Sequence, residues 1–395
     1  MKIIHSKHSA EDHAELSKAW FDPQTFVFLP EKNGTVKEWI EKAIESFPPE
    51  KFRTEHFCLL TSGSTGQPKL VVASRTKAEM LTRVIHERQE NEEADETILA
   101  LPLTYCFSFV NQWLWAQTFN RRFIYTSGFS EPSFLREALL KANRAMICLV
   151  GQHIPLFQRY FGKDFSCAGI LRVHFAGGPF PQKDMDVVHA LFPNAKVFNN
   201  YGCTEAMPRL TIREEKESAV AQNVGRPLPG IEMRTDENDG ILFRSPYSAV
   251  GFYDKDGFFM VKEDTWLPTG DIGQEDESGC WHILGRSDGV FKRFGEKISI
   301  SKLLETVHAH WKEEAVFYRE KRTGLEEGHV LVICPKPTEE QYRAILNAFR
   351  KNHPRTHWPI RLESVESVPL LANGKIDQSE LASMKKDIHW YQRGF

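Results

Sequence analysis

The chain has 395 residues, 41% hydrophobic and 26% charged, with a formal net charge of −3. That length supports two or three domains around a large core, and the composition excludes fibrous and disordered classes. The longest apolar runs, over 145–150 and 330–334, fall far short of the roughly 20 residues that cross a bilayer as a helix, so no membrane span is expected. Seven cysteines without a CxxC pair argue against a disulfide framework or a zinc ribbon, and the amino terminus has no apolar stretch of signal-peptide length. A reducing, cytoplasmic location is the expectation. Among the histidines, His308 and His310 are two apart and His353 and His357 enclose Pro354, so neither pair presents a helical metal-binding face. Charge is uneven: 19 Lys/Arg stand against 15 Asp/Glu from Gly285 onward, and 31 against 38 before it. No basic run carries interleaved aromatics, so nucleic acid is not an expected partner.

In chain order, the first sixty residues read as mixed helix and loop, with apolar spots at Trp20-Phe21 and over 26–29. Strands over 57–60 and 70–73 flank a glycine-rich loop, and Met80, Leu81, Val84 and Ile85 give a helix over 76–89. Strands at 98–103, 123–125, 146–150, 171–176 and 196–198 then alternate with helices at 132–143, 154–161 and 183–191. This alternation predicts an α/β domain with mostly parallel sheets and ligand-binding loops at the carboxyl ends of strands. From 224 to 279 short strands punctuated by Gly, Pro and Asp suggest a compact β subdomain. The expected organisation is a large domain over 1–284, with a core at 57–223 and a β subdomain at 224–284, followed by a small α+β domain over 285–395.

The loop Thr61-Ser62-Gly63-Ser64-Thr65-Gly66-Gln67-Pro68-Lys69 joins hydroxyls, glycines and a terminal cation. Converging backbone N–H groups, Ser/Thr hydroxyls and one ammonium suit a polyphosphate, which points to ATP. A GxxxxGK[ST] loop is excluded, because Pro68 precedes Lys69 and a strand follows rather than a helix. Four clusters lie downstream. Ala176-Gly177-Gly178-Pro179 lets a flat ring lie against backbone, and Asn199-Asn200-Tyr201-Gly202-Cys203-Thr204-Glu205 supplies a stacking face, amides and a carboxylate. Trp266-Leu267-Pro268-Thr269-Gly270-Asp271 ends in an acid able to accept ribose hydroxyls. The last is Gly285-Arg286-Ser287-Asp288 with Lys292, Gly295 and Lys297, followed at a distance by Asn373-Gly374-Lys375-Ile376-Asp377. Each alone reads equally well as a turn.

In this order the clusters, with Val224-Gly225-Arg226-Pro227 and Gly251-Phe252-Tyr253, resemble the adenylate-forming superfamily of acyl-CoA synthetases, adenylation domains and luciferases, from about Phe57 to Leu381. The resemblance implies a large domain followed by a mobile carboxy-terminal one. It also implies two half-reactions: a carboxylate attacks the α-phosphate of ATP, releasing pyrophosphate, and a thiol then displaces AMP from the acyl-adenylate. By the same resemblance Thr61, Ser62, Gly63, Ser64, Thr65, Gly66 and Lys69 hold the β- and γ-phosphates, and Thr204 and Glu205 sit at the α-phosphate and Mg²⁺. Gly177, Gly178, Asn200, Tyr201 and Gly202 surround the adenine, Asp271 and Arg286 hold the ribose, and Lys375 bridges carboxylate and phosphate. Asp288 matches the hinge, about which the segment with Lys292, Gly295 and Lys297 swings in for the thiol step.

The acyl pocket is expected around Tyr105, Phe107, Ser108, Gly177 and Cys203, in the stretch Leu101-Pro102-Leu103-Thr104-Tyr105-Cys106-Phe107-Ser108-Phe109. Amino-acid-activating relatives carry an Asp here, and none occurs over 100–120. A buried ammonium without a counter-ion is costly, so an aryl or fatty acid without an α-amine is the expected substrate, with an amino-acid adenylation enzyme as the alternative. The acceptor is CoA or the phosphopantetheine arm of an acyl or peptidyl carrier protein. Three features depart from the family's pattern: a short segment before the glycine loop, Lys302-Leu303-Leu304 where an acidic helix entry is usual, and Gln378 after Lys-Ile-Asp. Homodimerisation is one way to compensate for the first. A phosphotransferase would explain the glycine loop alone, and a regulatory nucleotide- or acyl-binding relative without catalysis would explain binding alone. The first has no use for Lys375, and the intact set Lys69, Glu205, Asp271, Arg286 and Lys375 argues against the second.

Overall fold

The computed structural model describes residues 1–30, 44, 50–61, 69–254, 256–287, 289–293, 296–320, 328–369, 376 and 378–392. Ser62, Gly63, Ser64, Thr65, Gly66, Asp288, Gly295 and Lys375 lie outside the described residues, and Lys292 and Lys297 are placed by their backbone alone. The chain divides into two compact units, one of 1–269 with 273–283 and the other of 270–272 with 284–395.

In the large unit a six-stranded sheet runs Lys2–His5, Phe26–Leu29, His56–Leu60, Leu70–Ser74, Gly251–Asp254, Gly257–Met260. The first three strands are parallel, and the third and fourth form an antiparallel pair with Leu60 opposite Leu70. The helix Ala10–Phe21 crosses between the first two strands. Ser9 caps it by accepting from the Glu11 N–H, Glu11 and Asp12 complement the amino-terminal dipole, and Leu16, Ala19 and Trp20 form its buried face. At its other end the Arg75 guanidinium donates to the carbonyls of Trp20, Asp22 and Gln24. The first sixty residues therefore carry two sheet strands where helix and loop were expected. Phe26–Leu29 is buried throughout, so it shows no alternation, and four apolar residues in a row do not distinguish strand from helix.

The second sheet runs Thr211–Glu214, Lys196–Tyr201, Ile170–Phe175, Ala145–Leu149, Glu96–Ile98, Arg122–Ile124. All but the first of these are parallel to one another. Ala145–Leu149 is buried at every position, as a parallel strand covered on both faces must be. The helices Arg75–Arg88, Pro132–Leu140, His153–Phe161 and Met185–Leu191 interleave with these strands in the expected rhythm. One strand ends early: Glu96–Ile98 stops before Pro102, which has no N–H for a ladder, and the expected 98–103 becomes a buried loop. One core cluster draws on both sheets and includes Trp20, Phe57, Phe109, Trp113 and Phe198. Within it the ring centroids of Trp20 and Trp113 are 5.4 Å apart, and those of Phe57 and Phe109 are 5.1 Å apart.

Short strands at Asn223–Gly225, Glu232–Thr235 and Gly240–Arg244 supply the β subdomain, the last two pairing as a hairpin with Glu232 opposite Arg244. In the small unit a four-stranded sheet runs Glu314–Glu320, Gly328–Cys334, Arg361–Ser364, Asp387–Tyr391. Helices Ile300–His308 and Glu339–Asn352 contribute to its core, the second opened by a Thr338/Gln341 capping box. Among the described residues no helix is long and apolar enough to cross a membrane.

Candidate active site

The parallel sheet gathers two of the downstream clusters and the expected acyl-pocket loop at one end. Phe175 runs into Ala176-Gly177-Gly178-Pro179, Tyr201 into Gly202-Cys203-Thr204-Glu205, and Ile98 into the loop leading to Tyr105. Because these strands are parallel, all three loops leave from the carboxyl end of the sheet, where α/β folds bind ligands. Gly177 has φ +78° and is exposed with Gly178, and a side chain at Gly177 would meet only Val150 at 3.7 Å. The bare backbone there is open to a flat ring.

Asn200 has a different place. Its side chain is buried, accepting from the Gln89 amide and donating to the Phe198 carbonyl, so it supports the loop from below. Asn199, on the opposite face of the strand, donates to the Asn223 carbonyl. Gly202 is required by contact: a Cβ would sit 2.0 Å from the Pro208 carbonyl oxygen. The Leu210 N–H closes this loop onto the Tyr201 carbonyl at 2.8 Å, and the Arg209 N–H bonds the Ala206 carbonyl at 3.1 Å. Tyr201, Cys203, Thr204 and Glu205 are half-buried.

The glycine loop belongs to the other sheet, yet its stem is tied to this one. The Thr61 N–H donates to the Lys69 carbonyl at 2.8 Å, and the Lys69 N–H donates to Thr61 Oγ1 at 3.0 Å, clasping the ends of the loop. The Lys69 ammonium stands 5.9 Å from the Phe252 ring centroid. Consecutive residues then join the two sheets: the Ala249 N–H donates to the Glu205 carbonyl at 3.0 Å, and the Val250 N–H to the Val72 carbonyl at 2.8 Å. Lys69 and Glu205 are therefore fixed on one backbone framework.

Of the aromatic residues near the expected acyl pocket, Phe109, Trp113 and Trp115 are fully buried. Phe109 and Trp113 pack on Trp20, and Trp115 donates to His86 at 3.0 Å, so these three are core. Tyr105 and Phe107 are half-buried, and burial pushes the Tyr105 phenol well above its ordinary pKa. Ser108 is buried with no hydrogen-bond partner for its hydroxyl among the described residues. The chain continues through a π-helical segment, Phe109–Leu114, a local geometry frequent at functional sites.

In the small unit Asp271 accepts from Arg286 at 2.9 Å, and Ser287 donates to the Gly270 carbonyl through both N–H and hydroxyl. The strands Val290–Arg293 and Glu296–Ser299 pair with Lys292 opposite Lys297.

A sequence profile described as AMP-binding enzyme matches residues 5–244. The chain belongs to the AMP-binding enzyme family. This places it in the adenylate-forming superfamily that its motifs resemble, and the match begins at residue 5, well before Phe57. The helix Ala10–Phe21 and the strand Phe26–Leu29 thus lie within the family match. This AMP-binding enzyme is 24% identical over 388 residues to the acyl-CoA ligase sidI of Beauveria bassiana, covering 90% of the chain and 66% of the relative. It is likewise 24% identical to the D-alanine–D-alanyl carrier protein ligase of Bacillus licheniformis, covering 82% and 70%. The solved O-succinylbenzoate coenzyme A synthetase of Bacillus subtilis in complex with AMP shares the fold at TM-score 0.72 and 15% identity, covering 98% of this chain and 83% of that one. Against three curated acid–CoA ligases the chain spans 55–66% of the relative's own length.

One residue at the site of this AMP-binding enzyme escaped the motif reading. Arg209, four positions after Glu205, is fully buried with its guanidinium 5.2 Å from the Phe107 ring centroid. The available signal was a lone cation in the otherwise uncharged run Ala206-Met207-Pro208-Arg209-Leu210.

Proposed function

We propose that the protein activates a carboxylic acid with ATP, forming an acyl-adenylate and pyrophosphate, and passes the acyl group to the thiol of CoA or of a phosphopantetheinyl carrier protein. The observation carrying this reading is the backbone framework that ties the strand following Lys69 to the loop bearing Glu205 through Ala249 and Val250. Lys69 and the loop hydroxyls from Thr61 to Thr65 receive the β- and γ-phosphates, and Thr204 the α-phosphate. Glu205 holds the Mg²⁺ that travels with ATP, a Lewis acid that spreads the phosphate charge. Tyr201 offers its ring to the adenine beside the bare backbone of Gly177 and Gly178, and Gly202 lets the strand turn away. Asp271, paired with Arg286, takes the ribose hydroxyls.

Carboxylate and triphosphate repel each other, so a cation must stand between them as the bond forms, and Lys375 has that role. The segment with Lys292, Gly295 and Lys297 serves the thiol step after rotation about Asp288. The acid is aryl or aliphatic without an α-amine, lined by Tyr105, Phe107, Ser108 and Cys203. Relatives named as acid–CoA and acid–carrier protein ligases support both acceptor classes. The test is acid-dependent pyrophosphate release across a panel of acids, followed by thioester formation with CoA and with a holo carrier protein. Release of ADP instead of pyrophosphate, or nucleotide binding without turnover on any acid, would overturn the reading.

A further inference from the structure

Four arginines of the large unit are buried, and three of them are well supplied with acceptors. Arg75 has three backbone carbonyls. Arg172 has the carbonyls of Gln89, Glu90 and Leu171 and the Glu93 carboxylate. Arg213 has the carbonyls of Asn223, Glu215 and Ser218 and the Gln182 amide. Arg209 has a single hydrogen bond among the described residues, from Nη2 to Asn111 Oδ1 at 2.8 Å, and its Nε has no acceptor. A guanidinium carries five N–H donors, so this one is left mostly unanswered.

Its surroundings repeat the pattern. The Asn111 Nδ2 donor and the Ser108 hydroxyl, three residues apart, are buried without partners among the described residues. The neighbouring titratable groups are Cys106, Cys148 and His174, and none supplies a negative charge: burial pushes both thiols up and the imidazole down. Desolvation lowers Arg209 itself to about 10, which leaves it charged at neutral pH. A buried cation among unmet donors calls for an acceptor-only group, and a carboxylate is the simplest. The cluster lies beside the loop carrying Thr204 and Glu205, because the Arg209 N–H bonds the Ala206 carbonyl at 3.1 Å.

We propose that Arg209, with Asn111 and Ser108, receives a second carboxylate on the acid substrate, so that the protein activates dicarboxylic acids at the end distant from Arg209. This rests on the acid-activating reading above and narrows its substrate to acids with a short body between two carboxylates. The same cation repels an ammonium, which disfavours amino acids independently of the missing Asp.

The test compares straight-chain dicarboxylates, succinate to sebacate, and phthalates with monocarboxylates of equal length, by pyrophosphate release and by thermal shift. The wild-type protein is expected to favour a dicarboxylate at least about 100-fold in kcat/KM, since a site built for a polar group rejects analogues lacking it. Arg209→Met is expected to remove that preference, while Arg209→Lys retains part of it. Equal or better use of monocarboxylates by the wild-type protein overturns the proposal whether or not the variants fold, and so does an unchanged preference in Arg209→Met. If no acid releases pyrophosphate, the activation reading fails by itself. Thermal stabilisation by dicarboxylates over monocarboxylates then still supports the subsite, and no difference between them overturns it.

Discussion

Replacing Gly202 by alanine tests whether the loop carrying Thr204 and Glu205 is held by backbone contact. The new methyl carbon would sit 2.0 Å from the Pro208 carbonyl oxygen, 2.7 Å from its carbon and 3.0 Å from Arg209 Cα, where ordinary contact begins at 3.4 Å. Every one of these neighbours is backbone, so no rotamer change relieves the overlap, and the two sides of the loop must part by about 1 Å. That opening pulls on the bonds from Leu210 to Tyr201 and from Arg209 to Ala206. Overpacking costs about 1–3 kcal/mol and a strained backbone bond about 1 kcal/mol more. At roughly 2–4 °C per kcal/mol for a unit of this size, Tm should fall by roughly 4–16 °C. A catalytic group displaced by about 1 Å loses on the order of 100-fold in rate, so pyrophosphate release should fall by at least that factor. Scanning calorimetry and a pyrophosphate assay read the two effects. Gly162→Ala is the control: φ there is +88° but nothing lies within 4 Å, so only backbone strain of about 1–3 kcal/mol is expected, with activity kept. Wild-type Tm and rate in Gly202→Ala would refute the argument.

Trp113→Ala should cost about 3–5 kcal/mol by urea unfolding without changing which acids are used, whereas Phe107→Ala should shift acid preference at little cost in stability. Lys375→Ala should cut pyrophosphate release by at least about 10²–10³ while ATP still binds in calorimetric titration. Gly295→Leu should spare that step and block thioester formation, and equal loss of both half-reactions would count against the rotation. His329, buried in the small unit and hydrogen-bonded at Nε2 to the His357 carbonyl, is held neutral by desolvation with its pKa lowered to about 3. The unfolded histidine titrates near 6.5, so between roughly pH 3 and 6.5 the unfolded chain binds the extra proton. Stability from this group is therefore full above that window and lost as pH falls through it. Urea midpoints against pH should fall less steeply for His329→Gln than for the wild-type protein, and identical slopes would exclude the effect.

What the sequence made legible follows from how each signal is written. Ala145–Leu149 was placed within a residue, because a parallel strand covered on both faces is an uninterrupted apolar run. The loops at Gly177 and Gly202 were legible because each directly follows a strand of the parallel sheet, and those two strands are neighbours. Where burial interrupts the code, legibility stops. Leu99, Leu101 and Leu103 look like strand and are buried loop, and Lys2–His5 and Phe26–Leu29 are too short for their period to show. Asn200 carries the right amide for a base edge but turns it inward to Gln89, a choice made by a helix more than a hundred residues away in the chain. The arginines make the same point for charge. Arg75, Arg172, Arg209 and Arg213 are identical as letters, and each is surrounded by acceptors or deprived of them only by the segments that pack around it. Arg75 completes a helix end, Arg172 and Arg213 bind loops to the sheet, and Arg209 is left with donors that no described residue satisfies. A buried cation that its own fold leaves unanswered is where a ligand of opposite charge gains most from entering.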